Sequence, residues 1–84
     1  METIKVIIRN KVEILHESEC HSVSMLNKVG PFDILPEHSN FVSIISGEVI
    51  ARNTSGKVWQ KNCTRGIVRV ESNTVEVIFL EEVL

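Results

Sequence analysis

The sequence predicts an all-β fold, a small antiparallel β-sandwich of about eight to ten short strands, and three observations point to it. Apolar residues recur at every second position: Ile4, Val6 and Ile8; Val23 and Met25; Val68 and Val70; Val75, Val77 and Phe79. A period of two is what a sheet with one buried face demands. No window carries a helical stripe over ten or more residues, and the Val and Ile content works against a helix. Turn chemistry falls between the alternating runs, at Arg9-Asn10, Asn27-Lys28-Val29-Gly30-Pro31, Asn53-Thr54-Ser55-Gly56, Asn62 to Gly66 and Ser72-Asn73-Thr74.

Taken in order, the first strand is expected at 3–8, where Ile4, Val6 and Ile8 share a face. The second, at 11–16, sets Val12 and Ile14 against Lys11 and Glu13, and the third, at 20–27, sets Val23 and Met25 against Ser22 and Ser24. A short strand at 33–35 leads into Pro36, which pushes Leu35 into an extended conformation. Strands at 40–45 and 47–53 follow, then a hairpin in which Gly56 is free to take a positive φ. Strands at 57–62 and 66–71 flank a hairpin over Asn62 to Gly66, and the last strand, at 74–80, follows Ser72-Asn73-Thr74. Short connections make sequence neighbours antiparallel neighbours in space, and two sheets face to face bury that many apolar faces most simply. The last strand is apolar on both sides, with Val75, Val77 and Phe79 pointing one way and Ile78 and Leu80 the other. Such a strand is either central in a covered sheet or has its outer face covered by another protein.

Composition narrows the function. Eighty-four residues make a single domain, 1–84, and 43% apolar with 24% charged residues is a globular balance. Nine Lys and Arg against eleven Asp and Glu give a net charge of −2, the wrong balance for a nucleic-acid module, which needs clustered positive charge. The longest strongly apolar run, Val77-Ile78-Phe79-Leu80, is far short of the ~20 residues of a membrane-spanning helix. Met1-Glu2-Thr3-Ile4-Lys5 shows no basic region ahead of an apolar stretch, so a soluble cytosolic domain without a secretory signal is expected. Cys20 and Cys63 sit in no C-x-x-C spacing, and in that compartment they are expected as reduced thiols.

Catalytic chemistry finds little to work with. His16, Cys20, His21, His38 and Cys63 are the soft metal-ligand candidates, but on a strand His21 faces away from His16 and Cys20, and a closed zinc site wants four ligands. Ala51-Arg52-Asn53-Thr54-Ser55-Gly56-Lys57-Val58 places Gly-Lys as a phosphate loop would, yet Ala51 replaces the first Gly and Val58 the magnesium-binding hydroxyl residue. His38-Ser39 lacks the orienting group and oxyanion hole of a triad. Sequons at Asn53 and Asn62 matter only in a secreted protein. No catalytic residue, cofactor or metal is expected.

The informative stretch runs from Gly30-Pro31-Phe32-Asp33-Ile34-Leu35-Pro36-Glu37-His38 through the apolar run Phe41-Val42-Ser43-Ile44-Ile45 to Gly47-Glu48-Val49. In this order the chain resembles the amino-terminal domain of the epsilon subunit of F-type ATP synthase, called delta in mitochondria. That family carries a glycine-led loop, an Ile-Leu-Pro-Gly-His turn, an apolar run and a Gly-Glu-Val-like strand. The resemblance spans essentially the whole chain, from the Ile4-to-Ile8 strand and Ser22-Val23-Ser24-Met25-Leu26 to Gly66-Ile67-Val68-Arg69-Val70 and Asn73-Thr74-Val75-Glu76-Val77. Glu37 replaces the family's turn glycine, so a type I turn with negative φ at Glu37 is expected. Asp33 stands where the family often has Gly, and Arg65 where it has the first of two glycines; the loop before Gly30 is shorter and lacks a common acidic residue. The family's helical hairpin, with its inhibition of ATP hydrolysis and nucleotide binding in some members, has no counterpart here. The chain is either naturally short or trimmed, and Glu81-Glu82-Val83-Leu84, which carries no tag or linker signature, favours the first.

The resemblance implies a non-catalytic rotor subunit at the foot of the central stalk, joining the gamma subunit to the membrane c-ring and coupling ion-driven rotation to ATP synthesis. It implies a peripheral place at the cytoplasmic face of the inner (plasma) membrane, no membrane insertion, and a monomer when isolated. By motif position Lys28, Val29, Gly30, Pro31, Phe32 and Asp33 approach the c-ring. His38, Ser39, Asn40, Phe41, Val42 and Ser43 approach gamma, with Phe41 and Val42 either supplying apolar contact area or serving as ordinary core. Two other readings remain open: a cupin-like metal- or ligand-binding barrel, suggested by Ser46-Gly47-Glu48-Val49 ahead of paired strands, and a free-standing β-sandwich interaction domain.

Overall fold

A computed structural model of the chain describes residues 2–80, so the reading of Glu81 to Leu84 lies outside the described residues. Six strands follow one another: β1 (Ile4–Arg9), β2 (Ile14–Asn27), β3 (Gly30–Ile34), β4 (Phe41–Asn53), β5 (Val58–Glu71) and β6 (Thr74–Phe79). The sheet order is β1-β6-β5-β4-β2-β3, and β1 also pairs with β2. Five strands therefore close into a barrel, and β3 hangs on the far part of β2, where Val23 to Asn27 face Ile34 to Gly30. The pairs that meet as sequence neighbours are antiparallel, as expected, while β1 and β6 run parallel from Lys5 opposite Thr74 to Arg9 opposite Ile78.

The all-β class holds, but the sandwich of eight to ten short strands gives way to fewer, longer and bent ones. Glu17-Ser18-Glu19, left between two expected strands, continues β2 opposite Ile7, Val6 and Lys5. The two strands expected at 40–45 and 47–53 are joined through a bulge between Ile45 and Gly47. Gly47 takes φ +92°, and a Cβ there would lie 2.7 Å from Leu26 Cδ1. The hairpin expected over Asn62 to Gly66 does not form; β5 runs straight through, with Asn62 opposite Glu48 and Cys63 opposite Gly47. Gly66 serves a close approach instead, because a Cβ on it would meet the Ile78 carbonyl oxygen at 2.8 Å. The common cause is that a strand changing partners is exposed on both faces or bulged there, so alternation lapses although the ladder does not. Closure then removes most of the sheet edges an open arrangement would leave.

The alternating residues named from the sequence fill the interior. Ile4, Val6, Ile8, Val23, Met25, Val68, Val70, Val75, Val77 and Phe79 are all buried, with Ile34, Ile45, Val49 and Ala51 beside them. Val12 and Ile14 are the exceptions. Residues 11–13 form the β1–β2 turn, where Asn10 Oδ1 accepts the amides of Val12 and Glu13 at 2.8 Å each, and Val12 is left 88% exposed. The turns at Gly56 (φ +91°) and at Ser72-Asn73 (φ +49° and +60°) form as expected, the latter with the paired positive φ of a type I′ hairpin.

A polar plug at one end of the barrel is hidden from the sequence. Asn53 Oδ1 accepts Ser18 Oγ at 2.8 Å and Cys20 Sγ at 3.3 Å, and His16 Nε2 lies 2.8 Å from Ser18 Oγ and 3.3 Å from the same Asn53 oxygen. His16 stacks on Trp59 with ring centroids 5.2 Å apart. His16 and Cys20 share a face, as their even spacing requires. Cys20 and Cys63 are both buried and form no disulfide with each other; burial pushes the Cys20 thiol up, the Ser18 hydrogen bond works against that shift, and the Glu19 charge adds to it.

Candidate partner-binding surface

The residues singled out by sequence lie on two loops that meet. The first is the tip of the β2–β3 hairpin, where Asn27 is paired with Gly30. Asn27 Oδ1 accepts the Val29 amide at 2.9 Å and the Gly30 amide at 3.2 Å, and Gly30 takes φ +143°. This side-chain mimic of a backbone turn holds the tip in one shape and leaves Val29 96% exposed beside exposed Lys28. Pro31 follows on β3, paired on one edge only, where a missing N–H is tolerated. Further along, Ser24 Oγ donates to Asp33 Oδ1 at 2.6 Å and accepts Arg52 Nη1 at 2.6 Å. Asp33 is thus held against β2, with a cation one hydroxyl away.

The second loop is the bend from β3 to β4. The His38 amide donates to the Leu35 carbonyl at 3.2 Å, closing a turn with Pro36 and Glu37 at its centre. Glu37 has φ +64°, which corrects the expected type I turn with negative φ: this is the type II geometry. The reason lies on the β5–β6 turn. Asn73 Oδ1 accepts the Glu37 amide at 2.8 Å while Asn73 Nδ2 donates to the Thr3 carbonyl at 2.6 Å. One carboxamide ties the bend to the start of the chain, and that tie turns the Glu37 amide inward. The Glu37 carboxylate also meets Glu2, whose carboxyl is raised above the ordinary glutamate value by a hydrogen bond to Glu37 and by its charge, with desolvation adding to both.

Phe41 joins the loops. Its ring packs edge-on against Phe32 at 5.6 Å and against His38 at 5.6 Å. Asn27 Nδ2 donates to Ser43 Oγ at 3.3 Å, a second link. Between them lies an open groove of about 380 Å³ lined by Val29, Pro31, Phe32, His38 and Phe41 among others. The 28–33 and 38–43 segments, assigned by sequence to two different partners, thus border a single groove. His38 Nδ1 lies 2.7 Å from the Ser39 carbonyl and donates to it, which leaves Nε2 facing outward as an acceptor in the neutral ring. Phe41 and Val42 separate cleanly: Phe41 is half-buried against the core, whereas Val42 is 66% exposed on the outer face of β4. Ser39 and Asn40 are exposed on the connection. Asn73, which fixes the shape of the second loop, could not be found from sequence, because nothing local to it names a partner 36 residues away. Among the described residues no three His, Cys, Asp or Glu side chains converge as a metal site.

No family model and no curated protein sequence matches the chain. Solved structures do. Over 99% of its length the chain superposes with TM-score 0.87 and 17% identity on 54% of a chain in the cryo-EM structure of the Euglena gracilis mitochondrial ATP synthase, OSCP/F1/c-ring, in rotational state 1. The fold is shared with ATP synthase chains. A second match, TM-score 0.71 and 16% identity over 92% of this chain and 63% of that one, is to the central stalk/c-ring of the Tetrahymena thermophila mitochondrial ATP synthase. The chain spans roughly half to two thirds of these ATP synthase neighbours.

Proposed function

We propose that this chain is a non-catalytic rotor-associated subunit of an F-type ATP synthase, equivalent to the amino-terminal domain of the epsilon subunit, that joins gamma to the c-ring. The observation that carries the proposal is the superposition of nearly the whole chain on an ATP synthase chain at TM-score 0.87. The Leu35-Pro36-x-His38 bend followed by the β4 apolar run supports it from sequence. A closed barrel with a dense interior resists deformation, which suits a part that transmits torque. In this reading the rigid tip at Lys28 and Val29, with Gly30 to Asp33 behind it, meets the c-ring, and His38 to Ser43 meet gamma, Val42 supplying the apolar contact. The subunit sits peripherally on the membrane complex.

Affinity purification of the tagged chain from membranes of its own organism tests the reading. Recovery together with gamma and the c-ring subunit is the expected result. Recovery alone, or with proteins outside the ATP synthase, would overturn it.

A further inference from the structure

The β2–β3 hairpin is joined to β4 at its root only. β2 pairs with β4 from Cys20 opposite Asn53 to Ser24 opposite Ile50, and among the described residues that ladder goes no further. Beyond it β2 continues to Asn27 with β3 alongside, and β3 has β2 as its one neighbour in the sheet. Residues 25–33 therefore form an arm whose backbone is bonded to itself and not to β4. At about 3.4 Å per residue, Asn27 stands about 10 Å beyond the root.

Side chains set where the arm lies. At the root Arg52 Nη1 donates to Ser24 Oγ at 2.6 Å, and Ser24 Oγ donates to Asp33 Oδ1 at 2.6 Å. Midway, Leu26 lies against Gly47, where an added Cβ would be 2.7 Å from Leu26 Cδ1, and Phe32 meets Phe41 edge-on at 5.6 Å. At the far end Asn27 Nδ2 donates to Ser43 Oγ at 3.3 Å, and Ser43 gives its own hydrogen to the Ile44 carbonyl at 3.2 Å. Apolar contacts tolerate small sliding movements, because burial is not directional. A hydrogen bond weakens steeply when its geometry is lost. The Asn27–Ser43 bond is also the farthest from the root, so it has the longest lever over the arm. Asn27 Oδ1 meanwhile holds the Val29 and Gly30 amides, so the shape of the tip and its position pass through one side chain.

We infer that Asn27 and Ser43 form a latch that holds the arm against β4 and sets the width of the groove between the two loops. Both are positioning residues. Resting on the rotor reading above, the latch lets Ser43, on the gamma-side segment, govern how Lys28 and Val29 are presented to the c-ring. A preset arm spares the ordering cost of docking.

Amide NMR relaxation of the full chain tests the latch. In the wild type Lys28 and Val29 are expected to show the order parameters of rigid backbone, about 0.85. Ser43→Ala leaves the turn bonds of the tip in place, yet should lower both toward about 0.6 or bring microsecond-to-millisecond exchange into residues 25–33. Ser43→Thr, which restores the hydroxyl, should behave as the wild type does. Val77, in the core, is the reference and should not change in either variant. An arm as rigid in Ser43→Ala as in the wild type would overturn the inference. So would a change that reaches Val77 equally, since that is general loosening.

Binding of the full chain to the c-ring of the same organism in nanodiscs separates the latch from the rotor reading. Ser43→Ala is expected to bind several-fold more weakly than the wild type and Ser43→Thr. A loosened arm that binds the ring as tightly as the wild type would show that the latch does not govern the tip. A wild type that does not bind the ring would overturn the ring contact instead, and the relaxation result alone would then decide the latch.

Discussion

The backbone amide of Glu37 and the side chain of Asn73 are 2.8 Å apart, and this hydrogen bond decides the conformation of the bend that carries His38. Asn73 holds Thr3 with its other amide atom at 2.6 Å, so one side chain fastens three parts of the chain. Asn73→Ala removes both bonds and puts alanine at φ +60°, a region asparagine tolerates better. At about 1 kcal/mol per hydrogen bond, a loss of about 2–3 kcal/mol is expected in urea unfolding. An unchanged midpoint would show that the tie contributes nothing.

Glu37 pays a steric cost for that bond, since a non-glycine residue at φ +64° sits where side chains crowd the backbone. Glu37→Gly is expected to stabilise the protein by about 1 kcal/mol, equal to about 4–8 °C in melting temperature for a domain of this size. A drop in melting temperature would mean that the Glu37 side chain contributes more than its backbone strain costs.

The same residue sets a pH dependence. The carboxyl of Glu2 is raised by Glu37, so the folded state holds that proton more firmly than the unfolded state. Its contribution to stability is fully present below the unfolded value and is lost as pH rises through the raised folded one. Glu37→Gln should flatten this part of the stability profile. Melting curves across the acidic range, recorded for both proteins, check it; parallel profiles would count against the coupling.

Asn53 is the acceptor on which the barrel's polar plug converges. Asn53→Ala leaves Ser18 and Cys20 without it, and a loss of about 1–3 kcal/mol is expected. The buried thiols offer a second readout. Cys20 and Cys63 should resist a thiol reagent such as Ellman's in the native protein and react on unfolding. Rapid native-state labelling would contradict their placement.

Phe41 and Val42 are adjacent in sequence and should respond oppositely. Phe41→Ala removes a ring packed between Phe32 and His38 and is expected to cost about 2 kcal/mol, less than a fully buried ring would. Val42→Glu lies on the outer wall and should change stability by less than about 0.5 kcal/mol. Thermal melts of the two variants discriminate between them.

How much of this was legible in the sequence follows from where each cause lies. The alternation of Ile4, Val6 and Ile8, and of Val75, Val77 and Phe79, is a local consequence of one-sided burial and reads directly. The bulge at Gly47 and the long polar stretch of β5 do not, because strands that change partners lose the pattern while keeping the ladder. Phe41 and Val42 could not be assigned to core and surface without knowing which face of β4 looks inward. The Glu37 conformation was misread for a different reason: glutamate's own preference points to negative φ, and the bond that overrides it comes from Asn73 on a distant turn. The groove was half legible, its two borders being named from sequence and their meeting through Phe32 and Phe41 depending on the third dimension.

The parallel seam between β1 and β6 has a consequence for how the protein is made. During synthesis β1 and β2 can pair as soon as both have emerged, but the other edge of β1 has its neighbour in β6, nearly 70 residues downstream. The nascent hairpin must therefore wait with an open hydrogen-bonding edge, the condition under which strands of different chains pair with one another. Topologies that depend on such distant pairings fold on the millisecond-to-second scale rather than in microseconds. The seam that completes the wall is also the step during which a newly made chain is most exposed to aggregation.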